Sequence, residues 1–73
     1  MALYHNGTRF AAIVTINVSV TSDPKKTLEV GVPSSMNKVG ADVGIHDLLV
    51  GPGESIQLDE GVEAQFVGVR GAA

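Results

Sequence analysis

From Ala11 to Thr21 the chain reads AAIVTINVSVT, in which Val14, Ile16, Val18 and Val20 alternate with Thr15, Asn17, Ser19 and Thr21. Successive side chains of an extended chain point to opposite faces, so this period of two predicts a half-buried strand. SDPKK follows and reads as a turn, with Pro24 presetting φ and Asp23 able to bond the nearby backbone. TLEVGV then alternates again, with Leu28, Val30 and Val32 inward, and strand–turn–strand predicts an antiparallel hairpin.

Pro33 to Asp42, PSSMNKVGAD, sustains no period and reads as an irregular loop. In VGIHDLLV the phase slips: Val43 and Ile45 share one parity, Leu48 and Val50 the other. That slip predicts either a bulge near His46-Asp47 or a strand buried on both faces in its second half. Gly51-Pro52-Gly53 breaks the strand, SIQLD resumes with Ile56 and Leu58 inward, and Asp59-Glu60-Gly61 is a tight turn with Gly61 at positive φ. The last strand, VEAQFVGVR, places Val62, Ala64 and Phe66 on one face opposite Glu63 and Gln65. Val67 and Val69 then fall on the parity that had been polar. The N-terminal LYHNGTRF offers a further hairpin around Asn6-Gly7, a strong hairpin dipeptide, so residues 1–10 read as an arm or hairpin.

About six short strands with no helix predict a single all-β domain over residues 1–73, a small antiparallel sandwich or barrel. Its expected core is Ile16, Val18, Val30, Ile45, Ile56, Leu58 and Phe66.

Composition narrows what such a domain can do. At 73 residues its core is marginal, and small domains usually compensate with disulfides, a structural metal or association. The chain has no Cys, and His5 and His46 stand in no metal-ligand spacing. Association remains, beside the alternative of an ordinary marginal monomer. A net charge of −3 argues against a nucleic-acid partner, which calls for a basic patch. The start, MALYHNGTRF, shows neither a basic n-region nor an apolar h-region, which predicts a cytoplasmic site of synthesis. No apolar run approaches the roughly 20 residues of a membrane helix, so no membrane partner is expected.

The residues for chemistry are sparse. A nucleophilic site needs Ser, Cys or Thr beside an oriented base. Ser34, Ser35 and Ser55 sit in turn contexts, and His46-Asp47 are strand neighbours whose side chains should diverge. DEGVE holds three carboxylates in five residues but lacks the alternating acids of a calcium loop. GVPSSMNKVG lacks the G-K-[ST] end of a phosphate loop. Tyr4, Phe10 and Phe66 are the only aromatics, too few for a stacking platform. No catalytic, cofactor-binding or metal-binding residue is assigned, and a non-enzymatic role is expected.

Surface is what is left. Leu3, Tyr4 and Phe10 add apolar area near the N-terminus, and Val67 and Val69 near the other end. A chain with a marginal core that places large apolar side chains outward is expected to bury them against another protein. These five are the expected interface residues; the alternative is that they cover a second small internal core.

In its length, Val/Thr/Gly-rich β composition, acidic balance, absent Cys and apolar N-terminal stretch MALYHNGTRF, the chain resembles the small accessory virion proteins of tailed bacteriophages, in particular capsid decoration or cement proteins. The resemblance implies a structural protein, made in the host cytoplasm, that sits on a virion shell as a homo-oligomer, a trimer among the options, and clamps neighbouring capsid subunits. A tail or fibre accessory protein shares these features. The competing class is a free-standing β module that recognises a peptide or carbohydrate on a sheet edge.

Overall fold

The computed structural model describes residues 2–21, 27–40 and 42–72. Seven strands follow one another: β1 (Ala2–His5), β2 (Ala12–Thr21), β3 (Thr27–Val32), β4 (Ser35–Gly40), β5 (Gly44–Val50), β6 (Ser55–Leu58) and β7 (Val62–Gly71). They form two antiparallel sheets, one ordered β1-β6-β3-β4 and the other β5-β2-β7. The all-β class expected from the alternation is observed; of sandwich and barrel the structure is the two-sheet form, with seven strands in place of about six.

The two sheets share one core. Val14, Ile16 and Val18 of β2, Leu48 and Val50 of β5, and Val62 of β7 face Leu28 and Val30 of β3 and Ile56 of β6. Ile16, Leu28 and Ile56 are fully buried. β2, β3, β5, β6 and β7 supply β-branched or leucine side chains to the interior, and strict alternation locates β2, β3 and β6.

Connectivity departs from the reading by neighbours. Among the described residues β3–β4 is the one hairpin, closed by Pro33 and Ser34, with Val32 opposite Ser35. β2 and β3 lie in different sheets, so they do not form the expected hairpin, and β6 and β7 are split between the sheets in the same way. The SDPKK segment joining β2 to β3 lies outside the described residues. The turn at Asp59 to Val62 is still tight, with Val62 N–H donating to the Asp59 carbonyl at 3.1 Å and Gly61 at φ 88°. It carries the chain across the sandwich instead of folding it back.

The stretch that reads as an irregular loop contains β4. Only Met36 and Val39 of β4 are half-buried, and they have opposite parity. An edge strand wetted on both faces has no reason to alternate, so the period of two is erased. Its pairing depends on Gly31, directly opposite Met36: a Cβ there would sit 2.4 Å from the Ser35 carbonyl oxygen.

Two bulges explain the phase slips. In β7, Gly68 opposes Thr15 and Phe66 opposes Ile16, which leaves Val67 as an extra residue. The slip therefore returns Val69 to the inner face, opposite the buried Val14, and does not move it to the polar side. In β2, Ser19 is the extra residue, so Val20 pairs with Glu63 on the outer face and is 44% exposed, unlike Val14, Ile16 and Val18. No bulge interrupts β5 where it pairs with β2. Leu48 and Val50 point inward, while Val43, Ile45 and Leu49 are outward and exposed, which removes Ile45 from the expected core.

Candidate functional site

β1 is not a free arm. It pairs with β6, so Tyr4 opposes Ile56 and His5 opposes Ser55, and Leu3 packs half-buried against the core. Asn6-Gly7 is not a hairpin turn either. The Asn6 side chain is fully buried and organises the following loop instead. Its Nδ2 donates to the Phe10 carbonyl at 2.8 Å and the Val50 carbonyl at 3.0 Å. Its Oδ1 accepts from the Thr8 N–H at 3.0 Å and the Thr8 hydroxyl at 2.7 Å. The Asn6 N–H donates to the Glu54 carbonyl, and the Asn6 carbonyl accepts from the Gly53 N–H. A short polar side chain that bonds its own backbone neighbourhood makes a compact loop without regular pairing.

That loop delivers Phe10 to the surface, 76% exposed, beside the end of β7. Tyr4, Thr8, Phe10, Val69 and Arg70 line one shallow groove whose floor includes Asn6. Tyr4 also stacks on Phe66, with ring centroids 5.7 Å apart and planes 7° from parallel. The strand β7 emerges from under the opposite sheet along its length. Val62 is buried and Ala64 half-buried, whereas Phe66 and Val69 are 45% and 49% exposed although both face inward. Phe66 is thus an aromatic at the mouth of the sandwich and not a core residue. The covered half of β7 is its first half.

Of the five expected interface residues, the structure gathers Tyr4, Phe10 and Val69 round one groove. Val67 sits at the adjacent bulge, 58% exposed, and Leu3 packs half-buried against the core outside the groove lining. Phe66 is the member that sequence reasoning misplaces. It does share the face of Val62 and Ala64, but parity says nothing about where the opposite sheet stops.

The outer face of the β5-β2-β7 sheet is different. Asp47 of β5 accepts from the Thr15 hydroxyl and pairs with Arg70 at 3.3 Å. The Thr15 hydrogen bond, and next the Arg70 guanidinium, hold the Asp47 carboxyl below the usual carboxylate range. His46 points to the other face and lies 2.6 Å from the Asp42 carbonyl, so the neighbours His46 and Asp47 form no dyad. His5 Nδ1 and Ser55 Oγ are 2.7 Å apart across β1 and β6. Among the described residues, no hydrogen bond engages the second ring nitrogen of His5, so the pair lacks the orienting group of a nucleophilic triad. Among the described residues no three His, Asp or Glu side chains gather as a metal site. No helix among them is long and apolar enough to cross a membrane.

Set against protein-family models, curated proteins and solved structures, the chain matches none. The residues that stand out on geometry alone are Tyr4, Phe10, Phe66 and Val69, at the open side of the sandwich between β1 and β7.

Proposed function

We propose that the protein is a non-enzymatic structural subunit that docks on a larger protein assembly through the open β1–β7 side. One observation carries this reading. Tyr4, Phe66, Val69 and Phe10 form a continuous apolar patch next to β7, an edge strand of its sheet, and none of the four belongs to the buried core cluster. An apolar patch beside an open strand edge is a surface suited to another protein. The assembly implied by the resemblance in the sequence is the capsid of a tailed phage, with this chain as a decoration or cement protein.

The test is quantitative mass spectrometry on density-gradient-purified particles from cells carrying the parent genome. The protein is expected at a fixed stoichiometry to the major shell protein. A Phe10→Asp variant, changed at a side chain that contributes little to the fold, is expected to be lost from the particles while its melting temperature is kept. Absence of the wild-type protein from particles, or full occupancy by Phe10→Asp, overturns the proposal.

A further inference from the structure

We infer that the partner on the β7 edge is a second copy of the chain, paired antiparallel about a two-fold axis at Phe66–Val67; this rests on the assembly reading above and names its first contact. Four strands are sheet edges among the described residues: β1, β4, β5 and β7. β1 has only four residues, and β4 carries the exposed Lys38 in its middle, both features that discourage edge pairing. Pairing β5 with its own copy over the full length sets Asp47 against Asp47, a like-charge contact. β7, at ten residues, is the longest edge.

Its bulge determines which register β7 can adopt. Directly opposed residues in an antiparallel pair share a face. In a regular strand paired with its own copy, opposed residues must therefore both be odd-numbered or both even-numbered. Glu63 could then never meet Arg70. The extra residue Val67 shifts the parity of everything after it, so that Glu63, Gln65, Gly68 and Arg70 lie on one face and Ala64, Phe66 and Val69 on the other. Centring the copy on the bulge sets Gln65 opposite Gly68, Ala64 opposite Val69, and Glu63 opposite Arg70. Two-fold symmetry repeats each pair, which gives two opposite-charge pairs and two apolar pairs per interface. Arg70 is already held on the outer face by Thr15 at 3.4 Å and Asp47 at 3.3 Å. Its guanidinium has five N–H donors, so a carboxylate arriving across the edge adds to these contacts. The pairing fuses two three-stranded sheets into one of six strands and brings Phe66 of both copies to the axis.

The experiment is sedimentation equilibrium on wild type, Glu63→Arg, Arg70→Glu and an equimolar mixture of the two variants, with circular dichroism melts as the folding control. Wild type is expected to dimerise. Each variant alone sets like charges opposite each other twice and is expected to weaken the dimer about tenfold or more. In the mixed dimer the two substituted side chains face each other as one opposite-charge pair, and the unsubstituted Arg70 and Glu63 form the other. The heterodimer is therefore expected to outcompete both homodimers. A wild-type monomer at high micromolar concentration, or a mixture without preference for the heterodimer, overturns the inference. A monomer in solution that is still found on purified particles removes the self-pairing and leaves the docking function. A charge-dependent dimer absent from particles does the opposite.

Discussion

Replacing Asn6 by alanine removes four side-chain hydrogen bonds from a position with no solvent exposure. The Val50 carbonyl, bonded at 3.0 Å in a buried setting, loses its partner, and such an orphaned group costs about 1–3 kcal/mol. The other three bonds lie in part-buried surroundings where water can replace the amide. Their loss falls near the low end of the about 0.5–1.5 kcal/mol net value of a hydrogen bond. Together the expected destabilisation is about 3 kcal/mol, and in a domain this small that lowers the melting temperature by about 12–24 °C. Urea unfolding followed by far-ultraviolet circular dichroism measures it, with thermal melts as a second readout. Asn6→Asp is the discriminating companion. Its carboxylate faces the Phe10 and Val50 carbonyl oxygens and has no donor to offer them, so burial and acceptor crowding raise its pKa in the folded state. A group whose folded pKa lies above its unfolded one favours folding when protonated. The Asn6→Asp variant should therefore recover stability relative to wild type as pH falls through that raised value. A loss below about 1 kcal/mol for alanine, or no pH-dependent recovery for aspartate, refutes the argument that this side chain anchors the loop.

Three further outcomes are expected. Ile16→Ala, at a fully buried position between β5 and β7, should cost about 2–5 kcal/mol in urea unfolding. Gly31→Ala should destabilise by more than about 1 kcal/mol, since its Cβ would meet the Ser35 carbonyl, and amide exchange should speed up first in β3 and β4. The Asp47 carboxyl should titrate below the ordinary value of 3.8 when followed by NMR, and Thr15→Val and Arg70→Ala should each raise its midpoint. With its folded pKa depressed, Asp47 favours folding above the unfolded pKa, and that contribution is lost as pH falls through the lower folded value.

Strands and faces are legible in the sequence where one face is dry and the other wet. β2, β3 and β6 announce themselves through Val14-Ile16-Val18, Leu28-Val30 and Ile56 because burial on one side enforces alternation. β4 is illegible for the converse reason: at an edge with both faces wet, SMNKVG carries no contrast. The partners of each strand are illegible too. Turn residues such as Asp59-Glu60-Gly61 dictate a reversal, and a reversal within one sheet needs the same turn chemistry as one that crosses to the other. The polar-to-apolar switch at Val67 is visible, but its cause, a bulge, depends on pairing with Thr15 and Ile16 that only the assembled sheet defines. For the candidate site, Phe10 follows from outward apolar placement, whereas Tyr4 and Val69 reach it from the inner face, which chain parity alone does not show. Phe66 needs knowledge of where β1 ends, and Asn6 has the signature of a turn residue although it is the loop's anchor.

The strand order also bears on how the molecule comes to be folded. β2 lies between β5 and β7, with Ala12 opposite both Val50 and Gly71, so its two neighbours are made long after it. Until then AIVTINVSVT is a nascent ten-residue segment of high β-propensity with both edges bare. The one local pairing available early is β3–β4, which leaves β2 unsheltered. Chains dominated by such distant contacts close large loops before any stabilisation arrives, and they fold in about milliseconds to seconds. During synthesis, sheet completion has to wait until β7 has left the ribosome, and in that interval β2 competes between its own late strands and the same segment of neighbouring chains.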